Sequence, residues 1–129
     1  REEKEVISKY INTLSIKAPS VKQLLNFLSG GNQQKVVVSK WLAAECEILM
    51  LDEPTRGIDI GAKHEIYSLI NKLKKEGHSI IVVSSELLEL IGVCDRVVVL
   101  YEGEKMGEVV DSEMTQQKIL DLASGGDCN

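Results

Sequence analysis

The chain has 129 residues, of which 43% are hydrophobic and 27% charged, and its formal net charge is −5. That is ordinary composition for one globular domain with a real core. The negative balance argues against a broad basic surface for nucleic acid, and apolar runs such as Ile80 to Val83 and Val97 to Leu100 are far too short to span a bilayer.

The three cysteines, Cys46, Cys94 and Cys128, are widely spaced and follow no metal-ligand pattern. They read as reduced thiols of a cytoplasmic protein, with Cys46 and Cys94 as packing residues. The chain starts at Arg1 without an initiator Met, inside a helical pattern, and is expected to be a piece of something longer.

From residue 2 to residue 14, Val6, Ile7, Tyr10, Ile11 and Leu14 share one helical face. Ala18-Pro19-Ser20 breaks that helix. Val21, Leu24, Leu25 and Leu28 suggest a short second one. Ser29-Gly30-Gly31 is a turn that can open a helix to about Glu45. Val36-Val37-Val38 would suit a strand, but Val37, Trp41 and Ala44 recur at helical spacing, and a helix is expected.

Ile48 to Leu51 is a continuous apolar run of strand length, as in a strand buried on both faces of a parallel sheet. Ala62 to Glu76 is the clearest helix, with Ile66, Leu69, Ile70 and Leu73 as its buried stripe and Gly77 as its stop. Ser79 to Val83 reads as a second buried strand, and Glu86 to Ile91 as a short helix ending at Gly92. Val97 to Tyr101 and Lys105 to Val110 read as strands joined by Glu102-Gly103-Glu104. Thr115 can cap a last helix carrying Ile119, Leu120 and Ala123. Strand–helix–strand–helix order predicts an α/β fold with a mostly parallel sheet and flanking helices.

Two stretches carry chemistry. Asp52 and Glu53 follow an apolar strand, and ligands of open α/β sheets bind beyond the carboxyl ends of strands. One carboxylate there can hold Mg²⁺ through water, and the other can orient or deprotonate an attacking water. Side chains alternate as the strand ends, so the two acids should point apart. The plainer alternative is a pair of acids in a surface turn. At Ser29-Gly30-Gly31, a helix start offers free N–H groups and positive potential, and glycine lets a phosphate come close. The plainer alternative is that Ser29 is an N-cap.

Together the two stretches say more. LSGGNQQKV (Leu28 to Val36) and ILMLDEPTRGID (Ile48 to Asp59) resemble, in order, the signature loop and the Walker B strand with D-loop of the ATP-binding cassette family, the ATPase subunits of ABC transporters. The resemblance covers essentially the whole chain. It implies a partial P-loop NTPase fold, with residues 1–28 ending a helical subdomain and residues 29–129 forming the signature loop and the C-terminal part of the ATPase core. It implies that Asp52 acts on Mg²⁺ and that Glu53 is the catalytic carboxylate. It further implies that Ser29, Gly30, Gly31 and Gln33 face the γ-phosphate of an ATP held by an opposing cassette, and that Asp59 reaches across the same dimer. Asp59 can equally be a helix N-cap ahead of Ala62.

Two departures stand out. Nothing matches the phosphate loop, Gly-x-x-x-x-Gly-Lys-Ser/Thr; in this family it lies upstream of the signature, and without it the fragment alone is expected to be inactive. In Val83-Ser84-Ser85-Glu86-Leu87, Ser85 stands where the family places its switch histidine. A serine hydroxyl is shorter and carries no positive charge, and capping the next helix is its expected role. His64, on the long helix, and His78, after Gly77, are expected to be solvated.

Asn-Gln-Gln-Lys-Val after the signature, Arg-Gly-Ile-Asp after Walker B and Ser-Ser-Glu-Leu at the histidine position resemble simple-sugar importers of the ribose, galactose and xylose type. The resemblance implies the end of the second of two fused cassettes. Its implied partners are the first cassette, membrane permease subunits and, indirectly, a periplasmic or extracellular sugar-binding protein, with no nucleic acid. Its implied place is the cytoplasmic face of the membrane. The intact signature loop would serve the first cassette's ATP, and the histidine-less site would contribute less to turnover. The competing readings are a soluble ABC ATPase acting on ribosomes or DNA, which coiled coils or basic stretches would favour, and a folded interaction or regulatory module.

Overall fold

A computed structural model describes residues 2–126. Cys128 lies outside the described residues. The chain divides into two compact units, one running to Val83 and the other starting at Ser84.

The first unit holds helix α1 (Glu2–Thr13), a single 3-10 turn at Leu25–Phe27, helix α2 (Gly30–Ala43), strand β1 (Ile48–Asp52), helix α3 (Ile60–Lys75) and strand β2 (Ser79–Val83). Strand β1 pairs in parallel with β2, Ile48 opposite Ser79 and Asp52 opposite Val83, with α3 as the crossover between them. The core gathers Leu14, Ile16, Val38, Leu42, Leu49, Leu69 and Leu73, all buried. Helix α3 buries the expected stripe of Ile66, Leu69, Ile70 and Leu73, and Gly77 ends it at φ +97°. Lys72, Lys74 and Lys75 sit in its last turn, where the macrodipole favours cations. Helix α1 closes through Ser15 at φ +51°, with the Ile16 N–H donating to the Ile11 carbonyl, the six-to-one bond of a Schellman cap.

Three expectations change here. Val21 to Leu28 is not a helix beyond the 3-10 turn. Val21 and Leu24 are exposed, so helical spacing had no core to answer to, and Pro19 with the Ser20 hydroxyl, which accepts the Lys22 N–H, holds a turn instead. In α2 the buried stripe is Gly31, Lys35, Val38 and Leu42, whereas Val37 and Trp41 are exposed. Neither expected buried strand is buried on both faces: in β1 Leu49 is buried but Ile48 and Met50 are exposed, and in β2 exposed residues alternate with half-buried ones, because the sheet described has two strands.

The second unit holds helix α4 (Leu87–Val93), strands β3 (Arg96–Tyr101) and β4 (Glu104–Val110), a 3-10 turn at Asp111–Glu113 and helix α5 (Gln116–Ala123). Glu102 and Gly103 both have positive φ, the geometry of a tight hairpin turn. The ladder slips between Val99 and Leu100, which pair with Gly107 and Lys105, and Met106 is the extra, bulged residue. Val97, Val99, Val109, Ile119 and Leu122 form this unit's core. The Thr115 side chain accepts the Lys118 N–H and caps α5 as expected.

Candidate nucleotide site

Helix α2 begins at Gly30, with Ser29 in extended conformation as its N-cap. The first bond of the helix runs from the Gln33 N–H to the Ser29 carbonyl. The N–H groups of Gly30, Gly31 and Asn32 therefore precede the first intrahelical donor and carry the positive end of the helix dipole. The Ser29 side chain does not cap a backbone N–H. Its Oγ accepts from Asn32 Nδ2 at 2.8 Å, and Asn32 Oδ1 accepts the Lys17 N–H at 2.8 Å. Gln33 Nε2 donates to the Leu28 carbonyl at 2.8 Å, so its amide braces the loop it belongs to.

The two glycines answer a steric demand. A Cβ on Gly30 would lie 2.6 Å from Ile58 Cγ2, and one on Gly31 would lie 2.8 Å from the Ala62 Cβ. The start of α2 thus rests directly on the segment from Ile58 to Ala62. The structure in this way brings Ser29, Gly30 and Gly31 beside the turn that carries Asp59. Asp59 Oδ1 accepts the Ala62 N–H at 3.0 Å and caps α3.

At the other end of that turn, Asp52 closes β1 and is exposed. Glu53 leaves the strand in the left-handed region at φ +45°, with its N–H donating to the Val83 carbonyl at 2.8 Å. A non-glycine residue there is strained by about 1–2 kcal/mol. Buried Pro54 and Thr55 and the Arg56 N–H donating to the Glu53 carbonyl follow at once. Asp52 presents an exposed carboxylate, the kind of oxygen donor that Mg²⁺ takes together with waters and substrate phosphates.

Ser85, the second residue of the second unit, is exposed. Glu86 is the N-cap of α4, and its N–H bonds to the hydroxyl of Ser84, not Ser85. Ser84 also donates to buried Glu89. His64 is exposed and meets Tyr67 edge-on. His78 is half-buried instead, with Nδ1 3.2 Å from the Cys46 carbonyl.

Lys35 was not singled out from sequence. It is 4% exposed, with Nζ 2.7 Å from Glu65 Oε2 and 3.4 Å from the Ser15 carbonyl. The hydrogen bond and charge of Lys35 hold the Glu65 carboxyl below its ordinary range, and Lys17 adds to the effect. The signal was available: Gly31, Lys35, Val38 and Leu42 are spaced as one helical face.

A family model described as "ABC transporter" matches residues 2–56. Among curated proteins, the galactose/methyl galactoside import ATP-binding protein MglA of Clostridium perfringens is 56% identical over 114 residues, 88% of this chain and 22% of that protein. The chain belongs to the ABC transporter family. The xylose import ATP-binding protein XylG of Thermoanaerobacter pseudethanolicus is 52% identical over 118 residues, 92% of this chain and 23% of its own length. The ribose import ATP-binding protein RbsA of Bacillus cereus is 50% identical over 125 residues, 97% of this chain and 25% of its own length. The chain spans about a quarter of the length of these curated relatives.

Solved members of the family share the fold. A nucleotide-free ATP-binding cassette from an ABC transporter superposes with a TM-score of 0.80 at 20% identity, over 92% of this chain and 48% of that one. The dimeric ATP-binding cassette MJ0796, in a post-hydrolysis state bound to ADP and Pi, superposes at 0.72 with 25% identity, over 84% of this chain and 47% of that one. The partial P-loop NTPase fold of an ABC cassette is therefore the fold of this chain. Among the described residues, no helix is long and apolar enough to cross a membrane.

Proposed function

We propose that this chain is part of an ATP-hydrolysing subunit that energises import of a simple sugar through an ABC transporter. The observation that carries the reading is the packing of the Ser29–Gly31 helix start, with its free N–H groups, on the segment that carries Asp59, which supports a signature loop and D-loop standing side by side. Identities of 50–56% to galactose, xylose and ribose import proteins support the choice of cargo class.

Ser29 and the N–H groups of Gly30 and Gly31 would contact the γ-phosphate of an ATP held by a second cassette fused in the same protein. Glu53 would orient the attacking water at this cassette's own site, and Asp59 would reach across the dimer. Asp52 would hold Mg²⁺ through water, and the ion would neutralise charge on the phosphates. Membrane permease subunits would dock on the cytoplasmic face, and a sugar-binding protein outside would act through them. The sequence has Ser85 at the family's switch-histidine position, so this cassette's own site would be the weaker of two unequal sites.

Steady-state ATPase assays on the assembled transporter test this. Ser29→Arg, which crowds the phosphate, abolishes most turnover, and Glu53→Gln costs less. Equal losses refute the asymmetry, and unchanged turnover in both refutes the site.

A further inference from the structure

We propose that Asn32 is a positioning residue that sets the direction in which the Ser29 hydroxyl donates. Lys17 lies outside the signature loop, and its backbone N–H bonds to Asn32. A backbone N–H can only donate, so the Asn32 atom 2.8 Å from Lys17 N is the amide oxygen. Turning the amide over would set two donors against each other. The amide nitrogen therefore faces Ser29 Oγ, also at 2.8 Å. It can only donate, so Ser29 accepts, and the hydroxyl proton points away from Asn32. The usual N-cap partner of such a serine, a backbone N–H of the first turn, is not engaged by the Ser29 side chain.

The result is a hydroxyl whose one proton lies on the side away from Asn32, close to the N–H groups of Gly30 and Gly31. Phosphate oxygens without protons only accept, so a donor is the polarity they need. A serine free to rotate would present that donor only part of the time. The tether also makes the main chain at Lys17, just beyond α1, a support of the phosphate-facing group. This inference rests on the proposed contact between Ser29 and phosphate.

The test uses the assembled transporter. Asn32→Asp keeps the shape and the acceptor for Lys17, but it turns the donor facing Ser29 into an acceptor. The hydroxyl must then point inward. The expected result is a fall in kcat of roughly 10-fold or more with little change in KM for ATP and an unchanged unfolding midpoint. In a Ser29→Ala background the same change should cost less than about 2-fold, because there is no hydroxyl left to turn. An equal loss in both backgrounds overturns the proposal, since it marks repulsion between the new carboxylate and phosphate. An impaired Ser29→Ala with a fully active Asn32→Asp overturns the role of Asn32 alone. A fully active Ser29→Ala overturns the phosphate contact and the positioning role with it. If Asn32→Asp lowers the unfolding midpoint, Asn32→Ala supplies the same comparison without added charge: it frees the hydroxyl and should give a smaller kcat loss that again vanishes with Ser29→Ala. A loss that persists there counts against the proposal.

Discussion

The ammonium of Lys35 lies 2.7 Å from Glu65 Oε2, with the lysine side chain 5% exposed and the glutamate 46% exposed. The pair is lopsided: one charge is buried and the other half in water. Lys35 also reaches the Ser15 carbonyl, so it joins the end of α1, the signature helix and α3. Glu65→Gln leaves a buried cation without its counter-charge and is expected to cost about 1–2 kcal/mol, the exposed partner and the remaining carbonyl limiting the loss. The depressed Glu65 pKa fixes the sign of the pH effect. The pair contributes fully above the unfolded carboxyl range, near pH 4–5, and the contribution is lost as pH falls through the folded value. Denaturation midpoints compared between neutral and acid pH should therefore converge for the wild-type and Glu65→Gln proteins as pH drops. A constant gap would show that Glu65 acts through packing and not through charge.

Glu53 separates backbone from chemistry. Its φ of +45° is easy for glycine and strained for alanine. Both Glu53→Gly and Glu53→Ala remove the carboxylate and whatever it bonds. Their difference isolates the backbone, and glycine should be the more stable by about 1 kcal/mol. Both should lose the turnover that depends on this carboxylate. Equal denaturation midpoints would mean that the turn relaxes out of the left-handed region in the alanine variant.

Asp59 offers a similar division. Its carboxylate caps α3 through the Ala62 N–H. Asp59→Ala should cost about 1 kcal/mol, and Asp59→Asn, also a good cap, only a fraction of that. A loss of ATPase turnover in Asp59→Asn at near-native stability would mark a role across the dimer as well as the cap. Full turnover would leave the cap as its whole contribution.

Much of this was legible in the chain itself, and the exceptions share a physical cause. Ile66, Leu69, Ile70 and Leu73 announce α3 because every one of them faces the core. Val21, Leu24, Val37 and Trp41 have the same spacing but lie in water, so periodicity misdirects where apolar residues are exposed. The motifs at Leu28–Val36 and Ile48–Asp59 name the candidate site residues, yet not the bonds among them. Asn32 and Lys35 act through partners at residues 15, 17 and 65, far along the chain, and only the fold supplies those. Ser84 and Ser85 are chemically alike, and the bond from the Glu86 N–H distinguishes them only in three dimensions.

Gly30 and Gly31 are each held by contact with a neighbouring segment, whatever lies in front of the helix. A copy of this sequence that had stopped using nucleotide would still need both to keep α2 seated on the Asp59 turn. A glycine pair surviving in a decayed cassette is thus a record of folding, not of activity. For judging whether a cassette is alive, the residues worth reading are those the packing does not demand, and in this loop that leaves the hydroxyl of Ser29.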